Sequence, residues 1–228
     1  AGTLYRSEHV GGSQPNSGTG QGVNVRGVAP YWRLAWQQLT GSTQYEFGTY
    51  GMHVKSTPGA ITDPTGAPLP FKDSFTDWAV DTQIDHTMFR TDVLSFRATY
   101  IRENSNPAAT ALLLNAASPG AHHLNTLLAN AEYHIGNKYT GTLGWFNTTG
   151  TSDISLYQPG VPVTGNFNGD PRGAGYIANL TYWPWQNLML GFQYTGYTRF
   201  NGAANNYDGA GRNANSNNTI YLDAKIIF

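Results

Sequence analysis

Asp77, Asp81 and Asp85 recur at every fourth position, and the apolar residues Trp78, Val80 and Ile84 lie between them. The same alternation runs through five more segments. Ser95, Arg97 and Thr99 oppose Leu94, Phe96, Ala98 and Tyr100. Asn130, Glu132 and His134 oppose Leu127, Ala129, Ala131, Tyr133 and Ile135. Arg33 and Gln37 oppose Trp32, Leu34 and Trp36. Gln193, Thr195, Tyr197 and Arg199 oppose Leu188, Leu190, Phe192 and Tyr194. Tyr221, Asp223 and Lys225 oppose Ile220, Leu222, Ala224, Ile226 and Phe228. A period of two puts alternate side chains on opposite faces of a strand. Arg33, Asp77, Asp81, Asp85, Arg97, Glu132, His134, Arg199, Asp223 and Lys225 are therefore predicted to share one face. Opposite charges so gathered either neutralise each other as a salt-bridged interior or line a small polar pore or proton path.

A second set lies at predicted strand ends: His53, Asp73, Asp77, His122 and His123. Asp and His together can activate water, so a hydrolase site at one rim is the alternative chemistry. No motif supports it, and no residue is assigned a catalytic role. Adjacent strand residues point to opposite faces, so His122 and His123 are not expected to ligate one metal. Asn166, Asn168 and Asp170 offer oxygens at alternate positions, but a calcium loop needs more carboxylates and a closing Glu. A polar turn is expected there. Gly169, Gly173 and Gly175 precede no helix and make no phosphate loop. The chain has no cysteine. That excludes disulfides, thiolate metal sites, Fe–S clusters and c-type haem attachment within it.

These faces need strands to carry them. Of the 228 residues, 12% are charged, about half the usual ~25%. Aromatics reach 13%, and Gly is 27 residues. Thirteen basic residues against fourteen acidic ones leave no field for nucleic acid. No apolar run is long enough for a transmembrane helix. Ten strands are predicted, at 2–10, 30–39, 43–54, 74–86, 90–103, 123–136, 138–149, 174–184, 188–199 and 218–228. Strand 43–54 is ambiguous between Tyr45/Phe47 and Tyr50/Met52 as its apolar face. Short turns and the long connections 11–29, 55–73, 104–122, 150–173 and 200–217 alternate strictly.

That alternation is the pattern of an outer-membrane barrel, with short periplasmic turns and long extracellular loops. The expected fold is all-β: a single transmembrane antiparallel up-and-down barrel of ten strands over residues 1–228. In it the charged face lines the lumen and opposite charges pair across it. Trp32, Trp36, Trp78, Tyr133, Trp145, Tyr182 and Trp185 would form aromatic girdles at the lipid interfaces. Phe228, with Ile226 before it, matches the terminal aromatic pattern read by the barrel assembly machinery. A soluble β-barrel binding protein, with the faces reversed, is the other fold reading. Ala1 suits either a cleavage site or a piece of a longer chain.

Several segments point to a family. They are Tyr31-Trp32-Arg33-Leu34-Ala35-Trp36, Gly48-Thr49-Tyr50-Gly51-Met52-His53-Val54, Leu143 through Gly150, Tyr182 through Asn187, and Phe200 through Ala203 with Tyr207 through Ala214. Together they resemble the C-terminal barrel region of proteobacterial outer-membrane proteins that go loosely by the name cytochrome c. The resemblance covers most of residues 30–228. It implies a porin-like or structural barrel in the outer membrane of a Gram-negative bacterium. It further implies partnership with a periplasmic or extracellular redox protein such as a multihaem cytochrome. With no Cys-x-x-Cys-His in the chain, haem would come only from a partner or an upstream segment.

Overall fold

A computed structural model describes residues 1–6, 23–58, 70–89, 91–158 and 166–226. Alternating apolar and polar residues, rich in Tyr, Trp, Thr and Leu, favour pleated strands. The strands are β1 (Gly2–Tyr5), β2 (Val23–Val25), β3 (Ala29–Thr40), β4 (Thr43–Pro58), β5 (Asp73–Met88) and β6 (Asp92–Asn106). They continue with β7 (His122–Ile135), β8 (Tyr139–Gly150), β9 (Gly173–Trp185), β10 (Leu188–Arg199) and β11 (Thr219–Ile226). A one-turn helix, α1 (Ile154–Tyr157), lies in a long loop. Among the described residues no helix is long and apolar enough to cross a membrane.

Strands stand at all ten predicted places, the first only as Gly2–Tyr5 of the expected 2–10, of which residues 7–10 lie outside the described ones, and every ladder is antiparallel. The order β1-β3-β4-β5-β6-β7-β8-β9-β10-β11 is an up-and-down meander. The predicted strand 43–54 continues to Pro58, and 90–103 to Asn106. The short strand β2, which the sequence pattern does not predict, lies within the expected 11–29 loop and pairs with the end of β4. Four connections are short, and the intervening ones are long. Gly41 and Gly136 take positive φ of 60° and 53° in two of the tight turns, where a side chain would be strained. Asp92 braces neighbouring turns, its carboxylate accepting from the Tyr133 hydroxyl at 2.9 Å and the Gly136 N–H at 2.9 Å.

The apolar face is the exposed one. Leu34, Leu143, Leu180 and Leu222 are 67%, 71%, 64% and 79% exposed. Among the described residues the buried apolar ones are Ala29, Ala79, Ala109, Ala117, Tyr207 and Ala214, and four of these lie outside the strands. The sheet therefore has almost no apolar core of its own. Stacked cross-strand pairs lie on this outer face: Tyr139 on Tyr182 at 4.9 Å and Trp36 on Phe47 at 5.8 Å. Such pairs add about 0.5–1.5 kcal/mol beyond their area.

Candidate functional site: the polar face of the sheet

Register settles which side chains share the polar face. Arg33 pairs with Tyr50, which pairs with Ala79. Gly48 pairs with Asp81, and Asp81 with Thr99. Glu46 pairs with Gln83, and Gln83 with Arg97. This resolves the ambiguous strand: Tyr45 and Phe47 face outward, and Tyr50 and Met52 face the charges. The same parity gathers Glu46, Asp77, Asp81, Asp85, Glu103, Glu132 and Asp223 on one face with Arg33, Arg97, Lys225 and His134. The sequence pattern does not single out Glu46 or Glu103. The first sits in a strand with aromatics on both faces, and the second lies at a strand's end.

Two charge clusters line this face. The Arg33 guanidinium donates to both carboxylate oxygens of Asp81, at 2.8 and 3.0 Å, and to Glu46 at 3.3 Å. It also lies 5.6 Å from the Tyr50 ring centre. A fork on a carboxylate is among the strongest polar geometries. In the second cluster Arg97 donates to Glu132 at 3.3 Å. His134 meets Glu132 at 2.6 Å and Thr140 at 2.9 Å, and Thr142 donates to the other Glu132 oxygen. Both clusters join strands that are adjacent or one apart. The charges pair along the wall, where the sequence pattern predicts pairing across the lumen. A cavity of about 270 Å³ lies between them, lined by Arg33, Tyr50, Asp81, Gln83, Arg97 and Thr99 among others.

Backbone space makes the Arg33 cluster. A Cβ at Gly48 would lie 2.6 Å from an Asp81 carboxylate oxygen. Gly48→Ala should swing Asp81 off Arg33 and cost about 1 kcal/mol, read as a lower urea midpoint for the refolded protein. An unchanged midpoint would show that the fork contributes nothing.

Asp85 accepts from Gln83 at 2.6 Å. Asp223 lies over Gly191, where an added Cβ would collide with its carboxylate, and Lys225 pairs with Met189 in register. Arg199 departs from the predicted face. A register shift between Tyr197 and Arg199 pairs it with Ala174 at the rim, close enough to Asp170 for their charges to interact. Bulges re-aim side chains in this way. The Oδ1 atoms of Asp77, Asp85 and Asn130 are buried and accept no hydrogen bond from the described residues.

The predicted aromatics all lie on the apolar face. Trp32 and Trp78 flank Gly51, while Tyr133, Tyr182 and Trp185 lie toward the short turns. Trp145 sits midway along β8 rather than at an end, and Trp36 stands four residues from the Thr40 end of β3. Ile226 points outward at 68% exposure. Phe228 lies outside the described residues.

The rim Asp and His residues are held apart by separate local bonds. Asp73 spends both oxygens on the Ala109 and Thr110 N–H groups and the Thr110 hydroxyl. His53 meets Thr76, and His123 meets Thr151. His122 is buried, with Nε2 3.0 Å from Asp153 and Nδ1 3.2 Å from the Gly120 carbonyl. Burial pushes the Asp153 carboxyl up, but the Ser118 N–H and hydroxyl with the α1 N–H groups outweigh it and hold it below its ordinary value. Among the described residues no group of three or more His, Cys, Asp or Glu side chains is placed to hold a metal ion.

Asn166 and Asp170 make the expected polar turn. The Asn166 amide donates to the Asp170 carbonyl at 2.6 Å, and the Asp170 carboxylate faces Arg172. The 200–218 loop is built around Tyr207, which is 1% exposed. Its N–H donates to the Arg212 carbonyl, and its carbonyl accepts from the Phe167 N–H. Arg212, bonded to Asp208 at 2.7 Å, holds that carboxyl down to about 2. A depressed carboxyl adds stability above its unfolded value and loses it as pH falls through the folded one. The clasp should therefore persist to about pH 3 and open as pH falls through about 2. Carbon-detected titration of the Asp208 carboxyl reads this. A midpoint near the ordinary 3.8 would show that the clasp does not form.

No family model, curated protein or solved structure matches this chain.

Proposed function

We propose that this chain is a porin-like barrel of a bacterial outer membrane, with its apolar face in lipid and its polar face lining a water-filled lumen. The observation that supports it most is the inverted distribution of side chains. Leu, Phe, Trp and Ile cover the exposed face, while the opposite face holds carboxylates and guanidiniums. In water each such exposed side chain forgoes about 1.5–3 kcal/mol of burial. In a bilayer the same face is solvated by hydrocarbon.

Lipid also requires that no sheet edge be left open. In the described residues the N-terminal segment covers β3 only over Ala29–Arg33, and β11 pairs with β10 alone. On this reading β11 closes against the β1–β3 edge inside the membrane. Strands of 12 to 16 residues from β3 to β10 exceed the ~9–11 needed for a tilted crossing. The surplus carries the hairpins beyond the bilayer.

The test is the refolded 228-residue chain in planar bilayers, with heat-modifiable gel migration read on the same sample. Discrete conductance steps with heat-modifiable migration support the pore. Heat-modifiable migration without conductance leaves a closed, structural barrel. Absence of both conductance and heat-modifiable migration would remove the membrane reading.

A further inference from the structure

We infer that the interior of this barrel selects cations over anions, and that Asp77 and Glu103 set the preference. The inference rests on the pore reading above. Among the described strands, register puts eight carboxylates on the polar face, Asp73 at the rim with its oxygens bonded at Ala109 and Thr110 and those at 46, 77, 81, 85, 103, 132 and 223, against three strong bases, Arg33, Arg97 and Lys225. Arg33 and Arg97 are each engaged with carboxylates, so neither presents a bare positive charge to a passing ion.

Asp77 and Glu103 differ from the other carboxylates. They are direct cross-strand partners, and the rest of their register row, Thr3, Tyr31, Met52, Leu124 and Gly150, is uncharged. The next row on the same face is Arg33, Tyr50, Ala79, Ile101 and Thr126, and its one charge, the Arg33 guanidinium, is turned to Asp81 and Glu46. Among the described residues no ion pair joins Asp77 or Glu103 to a base. Like charges directly opposite on a sheet repel, and a buried carboxylate oxygen without a donor is costly. Asp77 Oδ1 is such an atom. Both costs fall when a cation enters the row, and both rise when an anion does.

The row lies toward the long-loop end, where Glu103 and Asp153 both act on the Tyr157 phenol of α1. It therefore meets ions arriving from the loop side before they reach the paired clusters. A low-dielectric wall focuses such a field and concentrates counter-ions. Acidic rings select cations in pores by this means.

The experiment is the reversal potential of single channels in a potassium chloride gradient at neutral pH. The unmodified chain should pass K⁺ over Cl⁻ by a factor on the order of 3–10. D77N/E103Q should bring the ratio toward one while conductance steps persist. Glu103→Gln alone, the milder change, should give an intermediate ratio and guards against misfolding of the double variant. A ratio near or below one in the unmodified chain would overturn the inference and leave the pore standing, as would a ratio the substitutions do not move. Heat-modifiable migration without conductance would overturn the pore and the selectivity together but not the barrel. Loss of both would remove the barrel.

Discussion

Leu143→Arg should lower the stability of the lipid-embedded protein by about 2–4 kcal/mol, the cost of an arginine facing lipid near the bilayer midplane. Leu143 lies midway along β8 between Ala131 and Ala178, on the apolar face, and is 71% exposed. Exposure makes the substitution diagnostic. In a protein whose outer face meets water, replacing an exposed Leu with Arg changes stability by no more than about 0.5 kcal/mol. Leu180→Arg, on the neighbouring strand at 64% exposure, should behave the same way. Denaturant unfolding in vesicles, followed by tryptophan fluorescence, gives the number. A change within the smaller range for both variants would return the charged face to water and the apolar face to some other partner.

Tyr207→Ala should dismantle the 166–172 and 200–218 loops without dissolving the sheet. Tyr207 is the one large side chain fully buried among the described residues. Its ring meets Phe200 edge-on at 5.0 Å and lies 5.1 Å from the Arg212 guanidinium. Its hydroxyl donates to Asn217 at 3.3 Å. Truncating a buried aromatic costs about 3–5 kcal/mol, more than a loop layer held by turns and one clasp can absorb. Limited proteolysis should cut the 200–218 segment in the variant and spare it in the parent, while heat-modifiable migration stays the same. Loss of that migration would mean that loops and strands form one cooperative unit.

The strands are legible because a period of two is written into almost every one of them, and the short and long connections follow from where it breaks. Counting alone places Arg33, Asp81, Arg97 and Glu132 on one face. It does not find their partners, because an Arg33–Asp81 fork depends on the register of β3 against β5 through β4 and on the missing side chain at Gly48. Glu46 escapes notice because Tyr45, Phe47 and Tyr50 leave no apolar face to count from. Arg199 is misplaced by an alternation that a bulge interrupts. The Tyr207 core and the Asp153–His122 contact belong to loops, where no periodicity reports burial and distant segments meet.

The meander itself has a consequence for how such a molecule can change size. Every strand from β3 to β11 pairs with its neighbours in sequence. Each hairpin is thus a self-contained module whose ends emerge side by side at the long-loop end. Deleting or duplicating one hairpin reroutes no connection and leaves every other pairing intact; in the proposed barrel only the circumference would change. The closing seam of that barrel would be the exception, because its two strands lie at opposite ends of the chain. The width of the proposed lumen would therefore be a matter of how many modules are strung together, whereas the seam would have to be remade each time.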